Sequence, residues 1–242
     1  MKHPESDGLF TPIHLNTSGQ DGRPAGPDAY FLLARNGLFL CRNHPLFSSA
    51  VRAPSWPSEL LPHEESLTLR LPPVSRSRVE RIVGFFSRVY ELYASEAAAL
   101  LVLDGRAGRV RLVVPSQVAT VNVGYGGRRS AVGVRYDSTP PASPESIVVG
   151  DVHSHADLPA YSSHVDQRDE EYRPGLHVVV GRVDREPPEF HCEFVVDGAR
   201  FPLASEAVLA GYVSRRTNVP DAWLERVSIE ERKISYSAFD PR

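Results

Sequence analysis

Residues 147–155 read IVVGDVHSH, an apolar run that leads directly into two histidines separated by one serine. The run follows a loop rich in proline and serine, and this pattern predicts a buried strand. Side chains at positions i and i+2 of a strand point to the same face. His153 and His155 are therefore predicted to direct two imidazoles at one point, as two ligands of a single metal ion must.

Two residues downstream complete a candidate metal site. Asp166 lies eleven residues after His155, beyond a proline-containing loop, and in the first turn of a predicted helix. Ser163 shares a helix face with it. If the loop folds this helix over the strand end, the result is a His-His-Asp site with one open position, the pattern of catalytic zinc. Two structural roles stay open, because Ser163 also suits a helix N-cap and Asp166 a first-turn carboxylate.

Composition narrows the class of protein. The chain has 242 residues, 41% hydrophobic and 24% charged, with a net charge of −3. These values are typical of a globular protein, and the basic excess of a nucleic-acid-binding protein is missing. The two cysteines are too few for a disulfide framework or a thiolate zinc cluster. No apolar run reaches the roughly 18 residues of a membrane span, and no secretory signal is evident, so we expect a cytoplasmic protein without a membrane partner.

Helix and strand signals alternate along the chain, which predicts an α/β fold. Apolar side chains recur every three or four positions over residues 77–93, as in an amphipathic helix. Further helices are predicted over residues 163–171, 204–214 and 221–227. Strands are predicted over residues 30–34, 38–41, 98–103, 110–114, 117–123, 132–136, 147–152, 176–183 and 190–196, with a weaker signal over 67–71.

Four segments are expected along the chain. Residues 1–27 are rich in Gly, Pro, Ser and Asp, and are predicted to be a mobile leader. Residues 28–75 form an N-terminal extension that contains a β-hairpin, since an Asn-Gly pair stands between two apolar runs. The catalytic domain is placed at residues 76–200. Residues 201–242 are predicted to be a helical segment that packs on it.

The motif resembles the signature of the JAMM (MPN+) metalloproteases, which is a Glu followed far downstream by His-[Ser/Thr]-His, seven residues, Ser, two residues and Asp. Here seven residues separate His155 from Ser163, and two separate Ser163 from Asp166. In the family the glutamate precedes an aliphatic run, as Glu96 does here. The resemblance covers about residues 78–200, and it implies an MPN (JAB) domain, a mixed β-sheet flanked by helices.

The resemblance also implies a mechanism with one Zn²⁺ per chain. His153, His155 and Asp166 would be the metal ligands. Glu96 would accept a proton from water and deliver it to the leaving amine. Ser163 would donate a hydrogen bond to the oxyanion.

The implied activity is that of a deubiquitinase-like isopeptidase. Members of the family cleave the bond after the C-terminal Gly-Gly of ubiquitin or a ubiquitin-like protein, in deconjugation or precursor processing. Bacterial members accompany ubiquitin-like, E1-like and E2-like proteins in conjugation cassettes, including anti-phage cassettes. These proteins are therefore the expected partners.

Two positions depart from the family pattern. Ala156 stands where proline usually follows the second histidine, and Asp151 replaces an aromatic residue. Because Asp151 alternates onto the same strand face as His153, it is a competing ligand, a carboxylate that holds an imidazole, or a solvated side chain. Asp157 is a weaker rival ligand.

Other ionisable residues near the motif receive weaker assignments. Glu91 is the alternative catalytic glutamate, although no aliphatic run follows it. His164 is expected on the helix surface. His177 and His191 lie on predicted strands, where they would pack or support the ligands, and Cys192 is expected to be a small core residue.

Two rival functions stay open. A non-catalytic MPN-type scaffold would lack one or more motif residues, and all five are present here. The His-x-His motif also resembles that of PHP phosphoesterases and amidohydrolases. Those barrel folds need about 200 residues after the motif, whereas 87 follow His155.

Overall fold

The computed structural model describes residues 11–17, 28–58, 60–137, 145–171 and 173–233. Within these ranges the protein has a mixed α/β structure, with three sheets and few helices, which confirms the predicted fold class. The chain divides into two compact units between Ser66 and Leu67, nine residues before the predicted start of the catalytic domain. The described residues contain no helix with the length and hydrophobicity that a membrane span requires.

The first unit is a four-stranded sheet. Its strands are β1 (Ile13–Leu15), β2 (Ala29–Ala34), β3 (Gly37–His44) and β4 (Phe47–Arg52). The antiparallel pairing of β2 with β3 confirms the predicted hairpin. Strand β1, within the predicted leader, and β4, in the N-terminal extension beyond the predicted hairpin, were not expected from the sequence. The rest of that leader, 1–10 and 18–27, lies outside the described residues.

In its described residues, the second unit contains a six-stranded sheet, a three-stranded sheet, four α-helices and one 3₁₀ turn (Tyr125–Gly127). Its elements are α1 (Arg76–Tyr93), β5 (Ala98–Asp104), β6 (Arg109–Val113), β7 (Gln117–Val123), β8 (Arg129–Tyr136), β9 (Ser146–Ser154), α2 (His164–Glu170), β10 (Gly175–Gly181), β11 (Glu189–Val196), β12 (Ala199–Leu203), α3 (Ser205–Val208), α4 (Asp221–Leu224) and β13 (Val227–Lys233). The strand orders are β12-β11-β10-β9-β5-β6 and β13-β7-β8. Strands β9 and β10 run parallel, as do β13 and β7, and the other neighbours are antiparallel.

One face of the six-stranded sheet packs against α1. The core contains Val83 and Phe86 from the helix together with Leu101, Val152 and Val178 from three adjacent strands. Because successive strand residues alternate between faces, the side chain after Val152 projects from the opposite face. The amphipathic pattern of α1 therefore determines which face of the sheet stays available for a functional site.

Two predicted features differ from the structure. Residues 67–71 form no strand, and the two prolines that follow them cannot donate hydrogen bonds to a sheet. The C-terminal segment is not helical as predicted, since α3 and α4 are single turns and β13 pairs with β7. Helix α3 ends because the chain becomes extended at Leu209, which forms a bridge to Val74.

Candidate metal-binding site

Strand β9 carries the first histidine of the motif into the sheet between β5 and β10. His153 lies opposite Ala98 of β5 and Val179 of β10. Gly150 precedes it with a φ of +147°, where a Cβ atom would lie 1.8 Å from the carbonyl oxygen of Leu176. Only glycine accepts both this backbone conformation and this close approach of two strands. The irregular backbone thus stands immediately before the functional residues.

The two imidazoles converge with the carboxylate of Asp166. Nε2 of His153 lies 3.3 Å from Nε2 of His155. The carboxylate oxygens of Asp166 lie 3.5 Å from Nε2 of His153 and 3.4 Å from Nε2 of His155. These three side chains form a group that could bind a metal ion, as the spacing of the motif predicted.

The start of α2 fixes the position of Asp166. The backbone N–H of Ser163 donates to Oδ2 of Asp166 at 2.8 Å, and the Asp166 N–H donates to Oγ of Ser163 at 3.2 Å. This reciprocal pair is a capping box. Ser163 can therefore cap the helix and also donate a hydrogen bond in the site. Its hydroxyl oxygen accepts from the backbone, and its proton is left for another acceptor.

Glu96 reaches the site through the pairing of β5 with β9. It lies two residues before β5, where the Ala97 N–H donates to Oγ of Ser154 and the Ser154 N–H donates to the Ala97 carbonyl. Glu96 is buried and lines the same cleft as His153 and His155. Burial raises the pKa of the Glu96 carboxyl, although the two imidazoles oppose this shift. A carboxylate with a raised pKa is a better proton acceptor near neutral pH.

Gln117 holds this edge of β5 in place, a role that the sequence did not suggest. Its Oε1 accepts from the Ala98 N–H at 2.8 Å, and its Nε2 donates to the Ala98 carbonyl at 3.0 Å. The buried amide side chain thereby supplies the hydrogen bonds that a neighbouring strand would otherwise provide. Glu96 is two residues away and depends on this clamp for its position.

The side chains of His153, His155 and Asp166 are here called the metal cluster. Its open side faces a cleft of about 740 Å³. One wall is β8, which pairs only with β7 among the described strands and so presents a free edge. Exposed apolar side chains from β8, from the loop before α2 and from α2 line this cleft, among them Val132, Tyr161 and Val165. The Tyr161 ring stands edge-on to His155, with the ring centres 4.8 Å apart. The cleft can therefore accept an extended chain with small or apolar residues.

The charges at the cluster favour a cation. Burial alone would lower the pKa of His153, but the hydrogen bond and negative charge of Asp166 raise it to about 9. The same imidazoles hold the pKa of Asp166 well below its usual range, despite partial burial. The negative potential that retains a proton on His153 also attracts a metal ion.

The rival ligands lie away from this cluster. Oδ1 of Asp151 is 4.0 Å from Nδ1 of His153, on the opposite side of the ring from the Nε2 that faces Asp166. Asp151 is thus placed to act on the imidazole from behind and cannot share its metal ion. Asp157 is exposed and interacts with Tyr90.

The weaker assignments are resolved by burial and contacts. Glu91, the alternative catalytic glutamate, is exposed, pairs with Arg88 at 3.2 Å and does not line the cleft that contains Glu96. His164 is exposed, as predicted, and Cys192 is buried in the core. His191 is partly buried, whereas His177 is fully buried behind the metal cluster.

Comparison with known proteins assigns no function to this site. No protein-family model and no curated protein matches the chain. A solution structure of a protein from Desulfitobacterium hafniense is 11% identical, with a TM-score of 0.37 over 62% of this chain and 97% of that one. A solution structure from Salinibacter ruber is 13% identical, with a TM-score of 0.28 over 61% and 94% of the two chains. Neither likeness indicates a function.

Proposed function

We propose that this protein is a zinc-dependent peptidase of the JAMM (MPN+) type, with an MPN (JAB) fold, that cleaves after the C-terminus of a ubiquitin-like protein. The observation that carries the proposal is the convergence of a metal-ligand group, a buried carboxylate and a helix-capping hydroxyl on one cleft. These residues are His153, His155, Asp166, Glu96 and Ser163.

The ligand group has the dimensions that zinc requires. Tetrahedral Zn²⁺ with bonds of about 2.0–2.1 Å keeps its ligand atoms about 3.3 Å apart. The corresponding separations among His153, His155 and Asp166 are 3.3, 3.4 and 3.5 Å. Two imidazoles and one carboxylate leave a fourth position toward the cleft, which is the arrangement of catalytic rather than structural zinc.

The chain's own residues supply the remaining chemistry. When bound, zinc supplies Lewis acidity, which makes water a nucleophile near neutral pH. Glu96 would take the proton from that water and hand it to the leaving amine, a role that its burial and raised pKa suit. Ser163 would donate its hydroxyl proton to the developing oxyanion, since its oxygen already accepts from the backbone of α2.

The shape of the cleft supports an extended peptide as substrate. The free edge of β8 can add a strand, because its outward N–H and C=O groups have no neighbouring strand among the described residues. The flexible tail of a ubiquitin-like protein, with its terminal glycines, suits such a narrow approach to a buried metal. A bacterial conjugation or anti-phage cassette, with E1-like and E2-like partners in the cytoplasm, follows from the family resemblance alone.

Both rival functions fit the geometry less well. A scaffold that lacks catalysis has no reason to keep Glu96 and Ser163 converged with three metal ligands. The PHP and amidohydrolase barrels close a sheet on itself, whereas the six-stranded sheet here is open and mixed, with β12 and β6 at its edges.

The proposal is tested with a ubiquitin-like protein extended at its C-terminus by a short peptide or a lysine-linked adduct. We expect the full chain to release the extension, to lose this activity in a zinc chelator, and to regain it when zinc is restored. A Glu96→Gln variant should bind zinc and cleave about 10²- to 10⁴-fold more slowly. Cleavage at the wild-type rate in the chelator or in this variant would contradict the proposal.

A further inference from the structure

Behind the candidate metal site lies a second buried cluster of ionisable side chains, here called the rear network. It consists of Asp151, Glu170, Arg173, His177 and Arg200. Its imidazole and both carboxylates are buried. His177 on β10 lies directly opposite Asp151 on β9 in the parallel register. The rear network therefore shares its strands with the metal ligands.

His177 is the centre of the rear network. Its Nδ1 lies 3.2 Å from Oδ1 of Asp151 and 3.5 Å from Oε1 of Glu170. Its Nε2 lies 3.1 Å from the carbonyl oxygen of Arg173. An imidazole surrounded by acceptors at both nitrogens is held in one orientation, since each N–H has a defined partner.

Each carboxylate of the rear network also has a guanidinium partner. Oδ2 of Asp151 lies 3.3 Å from a terminal nitrogen of Arg173, and Oε2 of Glu170 lies 2.9 Å from a terminal nitrogen of Arg200. The carboxylates are thus already neutralised by cations of the protein itself. This arrangement leaves little negative charge for a metal ion, although His177, Asp151 and Glu170 are close enough to hold one.

The rear network adjoins the metal ligands along two routes. On one route, Oδ1 of Asp151 lies 4.0 Å from Nδ1 of His153, which is an ion-pair distance and longer than a hydrogen bond. On the other, Glu170 is the last residue of α2, the helix whose first turn carries Asp166. His177 bridges the two carboxylates, so it links one ligand on β9 with another on α2.

We propose that His177 is a positioning residue for the metal centre, which acts by holding Asp151 behind His153 and the end of α2 in place. The inference rests on the proposed zinc site but not on the peptidase activity. Groups that orient metal-ligating histidines contribute about 10- to 100-fold to metal affinity. The rear network is the part of the described structure that can do this for His153.

The test is zinc affinity, measured on the full chain by competition with a coloured chelator. His177→Gln and Asp151→Asn should each weaken zinc binding about 10- to 100-fold. The matched control is His164→Gln, an exposed histidine on α2, which should bind as the wild type does. In the cobalt-substituted protein, the visible absorption should change in both network variants, because the ligand geometry changes, and stay unchanged in the control.

A double variant separates positioning from general loss of structure. If His177 acts through Asp151, combining His177→Gln with Asp151→Asn should weaken zinc binding no more than the stronger single variant. Losses that multiply would overturn the inference. Should His177→Gln fail to fold, as judged by circular dichroism of the metal-free chain, the isosteric Asp151→Asn carries the same test.

Three results would overturn the inference in distinguishable ways. Wild-type zinc affinity and an unchanged cobalt spectrum in both network variants would remove the inference and leave the proposed function intact. A wild-type chain that binds no zinc would remove both. A second zinc ion that disappears in Glu170→Gln would show that the rear network is a metal site, which contradicts a positioning role.

Discussion

The metal cluster and the centre of the rear network, Asp151, Glu170 and His177, are both built from histidine and carboxylate side chains at nearly the same distances. In the metal cluster the closest ligand atoms are 3.3–3.5 Å apart, and in the rear network His177 lies 3.2 and 3.5 Å from its two carboxylates. The difference is in the counter-ions. Guanidinium groups accompany the carboxylates of the rear network, whereas Asp166 pairs with the two imidazoles.

The side chains of the two regions also differ in their exposure to solvent. The side chains of Asp151, Glu170 and His177 are each 4% exposed, whereas that of Asp166 is 19% exposed and borders the cleft. We therefore expect a cluster of histidine and carboxylate side chains to bind a catalytic metal where no arginine neutralises its carboxylates and one direction is open to the cleft. Residue type and proximity alone do not distinguish the two regions.

The contrast between the metal cluster and the rear network is tested most strongly by removing one histidine from each and comparing the zinc content. His155→Ala removes a proposed ligand, so we expect the purified protein to contain almost no zinc and to lose all peptidase activity. His177→Gln should retain zinc at high metal concentration. Metal content by mass spectrometry of both variants checks this, and equal zinc content would contradict the contrast.

Glu96→Gln separates metal binding from catalysis within the cleft. Loss of a general base typically costs about 10²- to 10⁴-fold in rate, while the metal ligands are untouched. We expect zinc content to stay at the wild-type level and turnover to fall by that factor. Glu91→Gln is the matched control and should have wild-type turnover. A slow Glu91→Gln with a fast Glu96→Gln would reverse the assignment.

Ser163→Ala tests a smaller contribution, because Ser163 has two roles. Removing an oxyanion donor typically costs about 10²- to 10³-fold in kcat. Losing the N-cap of α2 should also lower the free energy of unfolding by about 0.5–2 kcal/mol. Steady-state kinetics and thermal unfolding measure the two effects. Ser163→Thr keeps a hydroxyl and should recover much of the turnover and of the stability. A Ser163→Ala enzyme that is less stable but equally fast would show that Ser163 acts only as the N-cap of α2.

Thiol reagents should have the smallest effect. Burial raises the pKa of the Cys192 thiol to about 12, so the reactive thiolate is scarce at pH 8. Cys41 is also buried. We expect no alkylation of the folded chain by iodoacetamide and no change in turnover, with modification followed by mass spectrometry. Inactivation of an enzyme that still holds its metal would indicate a cysteine in the mechanism.

The sequence predicted the metal cluster because its geometry is local. His153 lies near the end of β9 and His155 directly follows that strand, so their imidazoles still converge, and Asp166 is fixed by a capping box within a single helical turn. Glu96 depends on pairing between β5 and β9 that no local pattern encodes, so it was identified only through the resemblance to a family. The long helix α1 and most strands of the second unit carry strong periodicity and were predicted correctly.

The rear network could not be predicted in the same way. His177 on β10 meets Asp151, and Arg200 on β12 meets Glu170, only after the sheet has assembled. One signal was present, since a histidine inside an otherwise apolar strand requires a buried polar partner. Strand β13 was missed because it has few apolar residues, and its partner β7 lies about a hundred residues earlier in the chain.

The most direct measurement is X-ray diffraction from crystals of the full chain purified with zinc, recorded on both sides of the zinc absorption edge. The account predicts a single anomalous peak among Nε2 of His153, Nε2 of His155 and the carboxylate of Asp166. The absence of a peak there, or a peak among Asp151, Glu170 and His177 instead, would contradict it.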